Sequence, residues 1–291
     1  MSSTSPTGRS RTARRAAAAL GVAAVALTAS GCSIANLPNQ LQIPDPVTKQ
    51  GEITYSLWQG TWVAGWVVFG FVFVLIVGTA VWFRKRADHL PAQTRYNIPI
   101  EVMYTVTPLI VVGVLTIFTW RDEANIMSLQ DDQAVTVNVV GYQWNWGFNY
   151  VKEQVYSTGT PQQIPTLVLP VNEKIRFELT SPDVAHSFWV PDFLFKMDVI
   201  PGRVNQFEIT PTKEGHFAGR CAELCGTYHS QMLFYVDVVS AAEYQTYIDS
   251  LRAKGQTGQL DTGRANADSQ DQGRTEIGGS IDGYVTNGGT P

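Results

Sequence analysis

From Trp62 to Phe83 the chain runs for twenty-two residues without a charge. As a helix rising 1.5 Å per residue, that stretch spans about 33 Å, enough to cross a hydrocarbon core of about 30 Å. Its length and lack of charge weigh against a helix buried in a soluble core. Trp58, Trp62 and Trp82 lie near its ends, where an aromatic belt meets the headgroups. A first membrane helix is therefore expected over Trp58 to Phe83. Arg84-Lys85-Arg86 follows at once and Arg95 completes a basic loop, which the positive-inside rule assigns to the cytoplasm. A second helix is expected from Ile98 to Trp120, ended by Arg121, Asp122 and Glu123. The result is a transmembrane hairpin over residues 57–121, with both outer ends outside the cytoplasm.

Residues 1–32 read as an export signal. Arg9, Arg11, Arg14 and Arg15 precede a small-residue, apolar stretch, Ala16 to Ala29, that is too short to span a bilayer. It ends Thr28-Ala-Ser-Gly-Cys32, which resembles a bacterial lipobox, where the cysteine becomes the lipidated first residue of the mature chain. A lipid on Cys32 at the outer face agrees with the orientation read separately from the basic loop. An ordinary signal peptide cut nearby and an uncleaved anchor are the alternatives. Residues 33–56 carry Pro38, Pro44 and Pro46 and read as an extended lead-in.

Residues 122–240 change character. Ala134-Val-Thr-Val-Asn-Val-Val, Leu167-Val-Leu-Pro-Val, Ile175-Arg-Phe-Glu-Leu, Asn205-Gln-Phe-Glu-Ile and Phe234-Tyr-Val-Asp-Val-Val are short and β-branched or alternating. Pro and Gly turns separate them, as in an antiparallel sandwich or barrel. Periodicity alone does not separate a cupredoxin-like sandwich from an immunoglobulin-like one. Residues 241–291 form a tail: Ala241 to Lys254 places Tyr244, Tyr247, Ile248 and Leu251 on one side of a short helix. Beyond Gly255 the composition is that of a disordered segment. A net charge of −4 argues against a nucleic-acid partner.

The densest chemistry lies in Cys221-Ala-Glu-Leu-Cys225-Gly-Thr-Tyr-His229-Ser-Gln-Met232, with His186 upstream in Pro182-Asp-Val-Ala-His186. Thiolate and thioether are soft ligands, and imidazole suits copper, zinc, iron and nickel. Two Cys, two His and one Met favour copper over hard ions, and are too many donors for one tetrahedral ion. They suit two ions that share the sulfurs, each with its own imidazole. A disulfide, a zinc site on two Cys and two His, and a Met that merely fills core are the competing readings.

The spacing C-x-E-x-C-x3-H-x2-M resembles the binuclear copper A loop of cytochrome c oxidase subunit II, and the likeness extends from about Trp58 to about Val239. It implies a two-helix transmembrane hairpin followed by an all-β, cupredoxin-like Greek-key sandwich. It implies two copper ions bridged by Cys221 and Cys225. One would also be held by His186 and Met232, the other by His229 and the carbonyl of Glu223. The Glu223 carboxylate would help hold magnesium at the boundary with subunit I. Gly141-Tyr-Gln-Trp144-Asn-Trp146 resembles the family's aromatic segment, which places Trp144 between a donor haem and copper; Trp146 reads as a core aromatic. Glu101-Val-Met-Tyr-Thr105-Val-Thr-Pro108 resembles the family's E-x3-T-x2-P pattern, with Glu101 at the mouth of a proton path. Lys196-Met-Asp-Val-Ile-Pro-Gly-Arg203 also resembles the family, which implies that Asp198 and Arg203 make contacts near the subunit I boundary. His89 and His216 match no ligand position.

The implied activity is that of the electron-accepting subunit of cytochrome c oxidase, itself without the oxygen-reducing site. It would take electrons from a c-type cytochrome and pass them to haem in subunit I. Expected partners are subunit I, other oxidase subunits, the cytochrome and membrane lipid. The expected location is a bacterial cell membrane, multi-pass, with both mature termini and the copper domain on the outer face. Nitrous oxide reductase has a similar loop but needs a large second domain. Quinol oxidases lose the copper ligands. A lipid-anchored scaffold stabilised by zinc is the reading from a different class.

Overall fold

A computed structural model of the 291-residue chain describes residues 43–84, 93–160 and 163–261. The chain divides into two compact units, residues 1–45 and 46–291, and the second carries everything below. The expected export signal with Cys32, the greater part of the basic loop with His89, and the tail beyond Asp261 lie outside the described residues.

Helix α1 spans Lys49–Trp82 and α2 spans Ile98–Ile126. Both are long and apolar enough to cross a membrane, and neither apolar window is buried by protein. Each outruns the expected span. The thirty-four residues of α1 extend about 51 Å, so its first turns stand beyond a 30 Å hydrocarbon core. The extended lead-in therefore ends at Thr48, not at residue 56. The prolines mark where a helix cannot run, whereas Thr48 is the residue that starts one. Its hydroxyl accepts from Gly51 N at 2.9 Å, satisfying a donor left free by the first turn. At the other end, Arg121, Asp122 and Glu123 do not stop α2, which continues to Ile126. Charge marks where a helix leaves lipid, not where its hydrogen bonding ends.

Ten strands follow: β1 (Val135–Tyr142), β2 (Asn145–Tyr150), β3 (Val155–Thr158), β4 (Thr166–Pro170), β5 (Ile175–Thr180), β6 (His186–Val190), β7 (Phe195–Val199), β8 (Asn205–Ile209), β9 (Gly215–Cys221) and β10 (Leu233–Val239). They form two five-stranded sheets, ordered β3-β2-β1-β5-β8 and β4-β10-β9-β6-β7. Pairs β1/β5 and β4/β10 are parallel and the rest antiparallel. The core between the sheets is aromatic: Trp146, Phe148, Tyr150, Phe177, Phe188, Phe207 and Phe234 are all buried. Rings of Phe177 and Phe207 stack at 4.8 Å, as do those of Phe188 and Phe234.

Helix α3 (Ala241–Ala253) opens with a reciprocal cap between Ser240 and Glu243 and buries Tyr244, Ile248 and Leu251, the expected face. The chain beyond it departs from expectation. Residues 256–260 are ordered along β3 and β2: Tyr156 N donates to Gln256 O at 3.1 Å and Gly258 N to Gln154 O at 2.9 Å. Asn149 then grips the main chain of Leu260 from both sides, accepting from its N–H at 2.8 Å and donating to its carbonyl at 3.4 Å. This covers the outer face of β2, which is why that strand is buried along its whole length.

Candidate metal centre

The soft donors meet at one end of the sandwich because β6 begins with His186 and β9 ends with Cys221. The two strands pair there, Phe188 opposite Cys221. The loop from Cys221 to Met232 is closed at its neck by a hydrogen bond from Cys221 N to Met232 O at 3.0 Å, and Ala222 N holds Ser187 O at 3.0 Å. Gly226 has φ +120°, a conformation that excludes most side chains. A Cβ there would lie 3.1 Å from the Trp144 ring.

Inside the loop, Cys221 Sγ and Cys225 Sγ are 3.9 Å apart. Both thiols are buried and free, and that separation is well beyond a disulfide bond of about 2.05 Å. His186 Nδ1 is 3.9 Å from Cys221 Sγ, and His229 Nδ1 is 3.6 Å from Cys225 Sγ. Met232 Sδ, fully buried, is 3.8 Å from Cys225 Sγ, and Glu223 O is 3.2 Å from Cys221 Sγ. The ligand atoms of His186, Cys221 and Cys225 all lie within 4.8 Å of one another. Burial resists ionisation of Cys221, but the His186 ring and the backbone of Glu223 and Ser187 outweigh it and hold the thiol down at about 6. Burial and the neighbouring Cys221 charge push the Cys225 thiol upward. Two thiolates side by side repel, and a soft cation between them would remove that penalty.

Around the donors sits a layer of hydrogen bonds. Gln143 Nε2 and Trp144 Nε1 both donate to Cys225 O, at 2.8 and 3.1 Å. Trp144 is half-buried and meets Tyr228 edge to face at 5.0 Å, with Leu224 and Tyr228 exposed beside the loop. Trp146, two residues on, is fully buried and donates to Met232 O at 3.3 Å, in keeping with the expected core role. The residue that motif reading passed over is Asp183. Its Oδ1 is 2.9 Å from His186 Nε2, and its Oδ2 accepts from Gln143 N at 2.7 Å. The available signal was a carboxylate three residues before a histidine that opens a strand.

The other singled-out residues lie apart. Glu101 stands in the first turn of α2, at the opposite end of that helix from the sandwich. Its carboxylate accepts from Asn97 N at 2.9 Å and so caps its own helix. The Glu223 side chain is exposed. Asp198 is half-exposed, 3.7 Å from Lys196, and Arg203 is exposed. His216 pairs with Asp237 at 2.5 Å on an outer sheet face, away from the loop as expected.

Fold and donors together define a membrane-anchored β-sandwich with a buried cluster of soft metal ligands. A family model for the periplasmic domain of cytochrome c oxidase subunit II matches residues 160–239. The chain is 43% identical to a probable cytochrome c oxidase subunit 2 of Streptomyces avermitilis, over 90% of this chain and 96% of that one. It is 35% identical to the Corynebacterium diphtheriae subunit 2, over 70% of this chain and 74% of that one. The crystal structure of the periplasmic domain of cytochrome oxidase subunit II from Bradyrhizobium japonicum is 32% identical, covering 43% of this chain and 99% of that one, with a TM-score of 0.40.

The chain belongs to the cytochrome c oxidase subunit 2 family. Its sandwich is the family's cupredoxin-like periplasmic domain, and it is a membrane protein with that domain on the outer face.

Proposed function

We propose that this chain accepts electrons from a c-type cytochrome at a two-copper centre and hands them to haem in subunit I. The observation that carries the reading is the convergence of both imidazole Nδ1 atoms and the Met232 sulfur on one pair of free, buried thiols. Cys221 and Cys225 would hold both coppers, with His186 and Met232 completing one set and His229 with the Glu223 carbonyl the other. The pair would supply a one-electron couple.

The protein's own contribution is rigidity and access. The neck bond between Cys221 and Met232 keeps the first and last ligands at a fixed spacing. Trp146, locked in the core, holds the Met232 carbonyl and packs its ring 6.2 Å from that of His186. Trp144 is the point where electrons arrive, since it lies between the exposed Leu224–Tyr228 surface and the Cys225 carbonyl that it hydrogen-bonds. The Glu223 carboxylate, exposed while its carbonyl faces the thiols, would be the magnesium ligand toward subunit I. Glu101 sits at the mouth of the proton path.

The domain scheme follows: export signal over 1–32 with lipidation at Cys32, a short lead-in, the hairpin, the copper domain over 122–240, and a C-terminal extension. Both mature termini face outward. The test is electron paramagnetic resonance with metal analysis on the purified oxidase containing this chain. Seven copper hyperfine lines in wild type, lost in Cys225→Ser, are expected. One zinc per chain and no such signal would overturn the reading.

A further inference from the structure

The Asp183 carboxylate collects four contacts at the edge of the site. Oδ1 lies 2.9 Å from His186 Nε2, 2.6 Å from Val184 N and 3.1 Å from Ser181 Oγ, and Oδ2 accepts from Gln143 N at 2.7 Å. His186 is fully buried. With Nδ1 turned to the thiols, its other ring nitrogen carries the proton and needs an acceptor, and a carboxylate partner raises the donor strength of the metal-facing nitrogen.

The second oxygen makes the arrangement more than a ligand support. Gln143 N belongs to the same short turn as Trp144, and the Gln143 and Trp144 side chains both hold Cys225 O. A closed ring of contacts therefore runs from His186 through Asp183 to Gln143, on to the Cys225 carbonyl, and back through the thiols.

Resting on the two-copper reading above, we propose that Asp183 is a positioning residue that sets the electron donation of His186 and locks the Trp144 turn to it. The carboxylate favours the oxidised centre, so removing its charge raises the reduction potential. It also fixes the indole relative to the ligands, so removing Oδ2 as an acceptor slows electron uptake beyond what the potential change explains.

The test uses the purified oxidase carrying Asp183→Asn, which keeps an acceptor for Val184 N but loses the charge and the second acceptor. Expected are unchanged copper content and a potential raised by about 59 mV. That corresponds to about tenfold in the oxidised-to-reduced ratio of a one-electron couple. Reduction by cytochrome c is expected to be several-fold slower at matched driving force. A role confined to folding the Ser181–Val184 turn would lower stability and leave the potential alone. Should Asp183→Asn load no copper, Asp183→Glu carries the test: it keeps the charge but displaces it, and a shifted potential or uptake rate is expected. A wild-type potential and uptake rate in the copper-loaded variant would overturn the inference. Absence of the two-copper signal from wild type would instead overturn the reading on which it rests.

Discussion

Gly141→Ala tests how tightly the ligand imidazole is wedged. Gly141 pairs with Trp146 across β1 and β2, and a Cβ at Gly141 would lie 3.2 Å from His186 Cδ2, 3.2 Å from Trp146 Cζ3 and 3.3 Å from His186 Cβ. Carbon atoms prefer about 3.5–4.0 Å, so something must move by a few tenths of an ångström. Trp146 and His186 are both fully buried and both held at a ring nitrogen, by Met232 O and by Asp183, so the strain falls on the two rings together. Overpacking of this kind costs about 1–3 kcal/mol. Alanine returns about 0.4–1 kcal/mol by narrowing the unfolded ensemble, since Gly141 has no positive φ to protect. The expected net loss is about 0–2.6 kcal/mol, or up to roughly 10 °C in Tm for a domain of this size. Thermal unfolding followed by near-UV circular dichroism reads the first number. Copper hyperfine and imidazole couplings, read by paramagnetic resonance, report the displaced ring. A variant as stable as wild type with unaltered couplings would show that the pocket behind His186 has slack, and the wedge argument would fail.

Two further outcomes follow from groups outside the site. The Tyr244 hydroxyl is buried beside the Glu153 carboxylate without a well-formed hydrogen bond, and burial, followed by the Glu153 charge, raises its pKa. The unfolded chain ionises near pH 10, so Tyr244's contribution is intact below that value and is lost as pH climbs through the raised folded value. Tyr244→Phe should leave stability at pH 7 unchanged or better by up to about 1 kcal/mol, and should flatten the alkaline fall in urea midpoints; a clear loss at pH 7 would refute this. Asn149→Ala removes both side-chain bonds to Leu260 and uncovers β2, for an expected loss of about 1–3 kcal/mol. Faster amide exchange at Leu260 and in β3 should accompany it, and unchanged protection there would show that the extension holds without Asn149.

What could be read before any coordinates followed from how locally each feature is encoded. The hairpin announces itself in an uncharged stretch, and the ligand loop in four residues at fixed spacing. Strands β5, β8 and β10 obey simple period-two or β-branched rules. Strands β2, β3, β6, β7 and β9 did not stand out, because their faces are decided by distant chain. Asn149 on β2 is polar yet buried, since Leu260 returns to cover it. Gly215 and Gly219 weaken β9 as a strand signal, yet Gly219 is required: any Cβ there would lie 2.2 Å from the Phe234 ring. Asp183 was invisible for a related reason. Its partners come from three residues ahead and forty behind, a combination that no local motif contains.

The same long-range bonding ties the sandwich to its two apolar helices. The start of α1 is built into the domain: Lys49 N donates to Thr210 O at 3.0 Å, Thr212 N to Val47 O at 2.8 Å, and Thr210 N to the Gln50 side chain at 2.9 Å. Thr48, fully buried, reaches the Phe193 carbonyl, and a Cβ on Gly51 would sit 2.9 Å from that same oxygen. Phe193 lies in the turn that directly follows β6, the strand that begins with His186. The exit from α2 is tied as well, through Arg176, which bridges buried Glu208 at 2.8 Å and also holds Gln130 O. Flexible linkers would let the domain swing relative to the two helices. Two helices fused to the sandwich at separate strands remove that freedom. The unexpected early start of α1 forms one of these joints, and the turn after α2 at Gln130 forms the other.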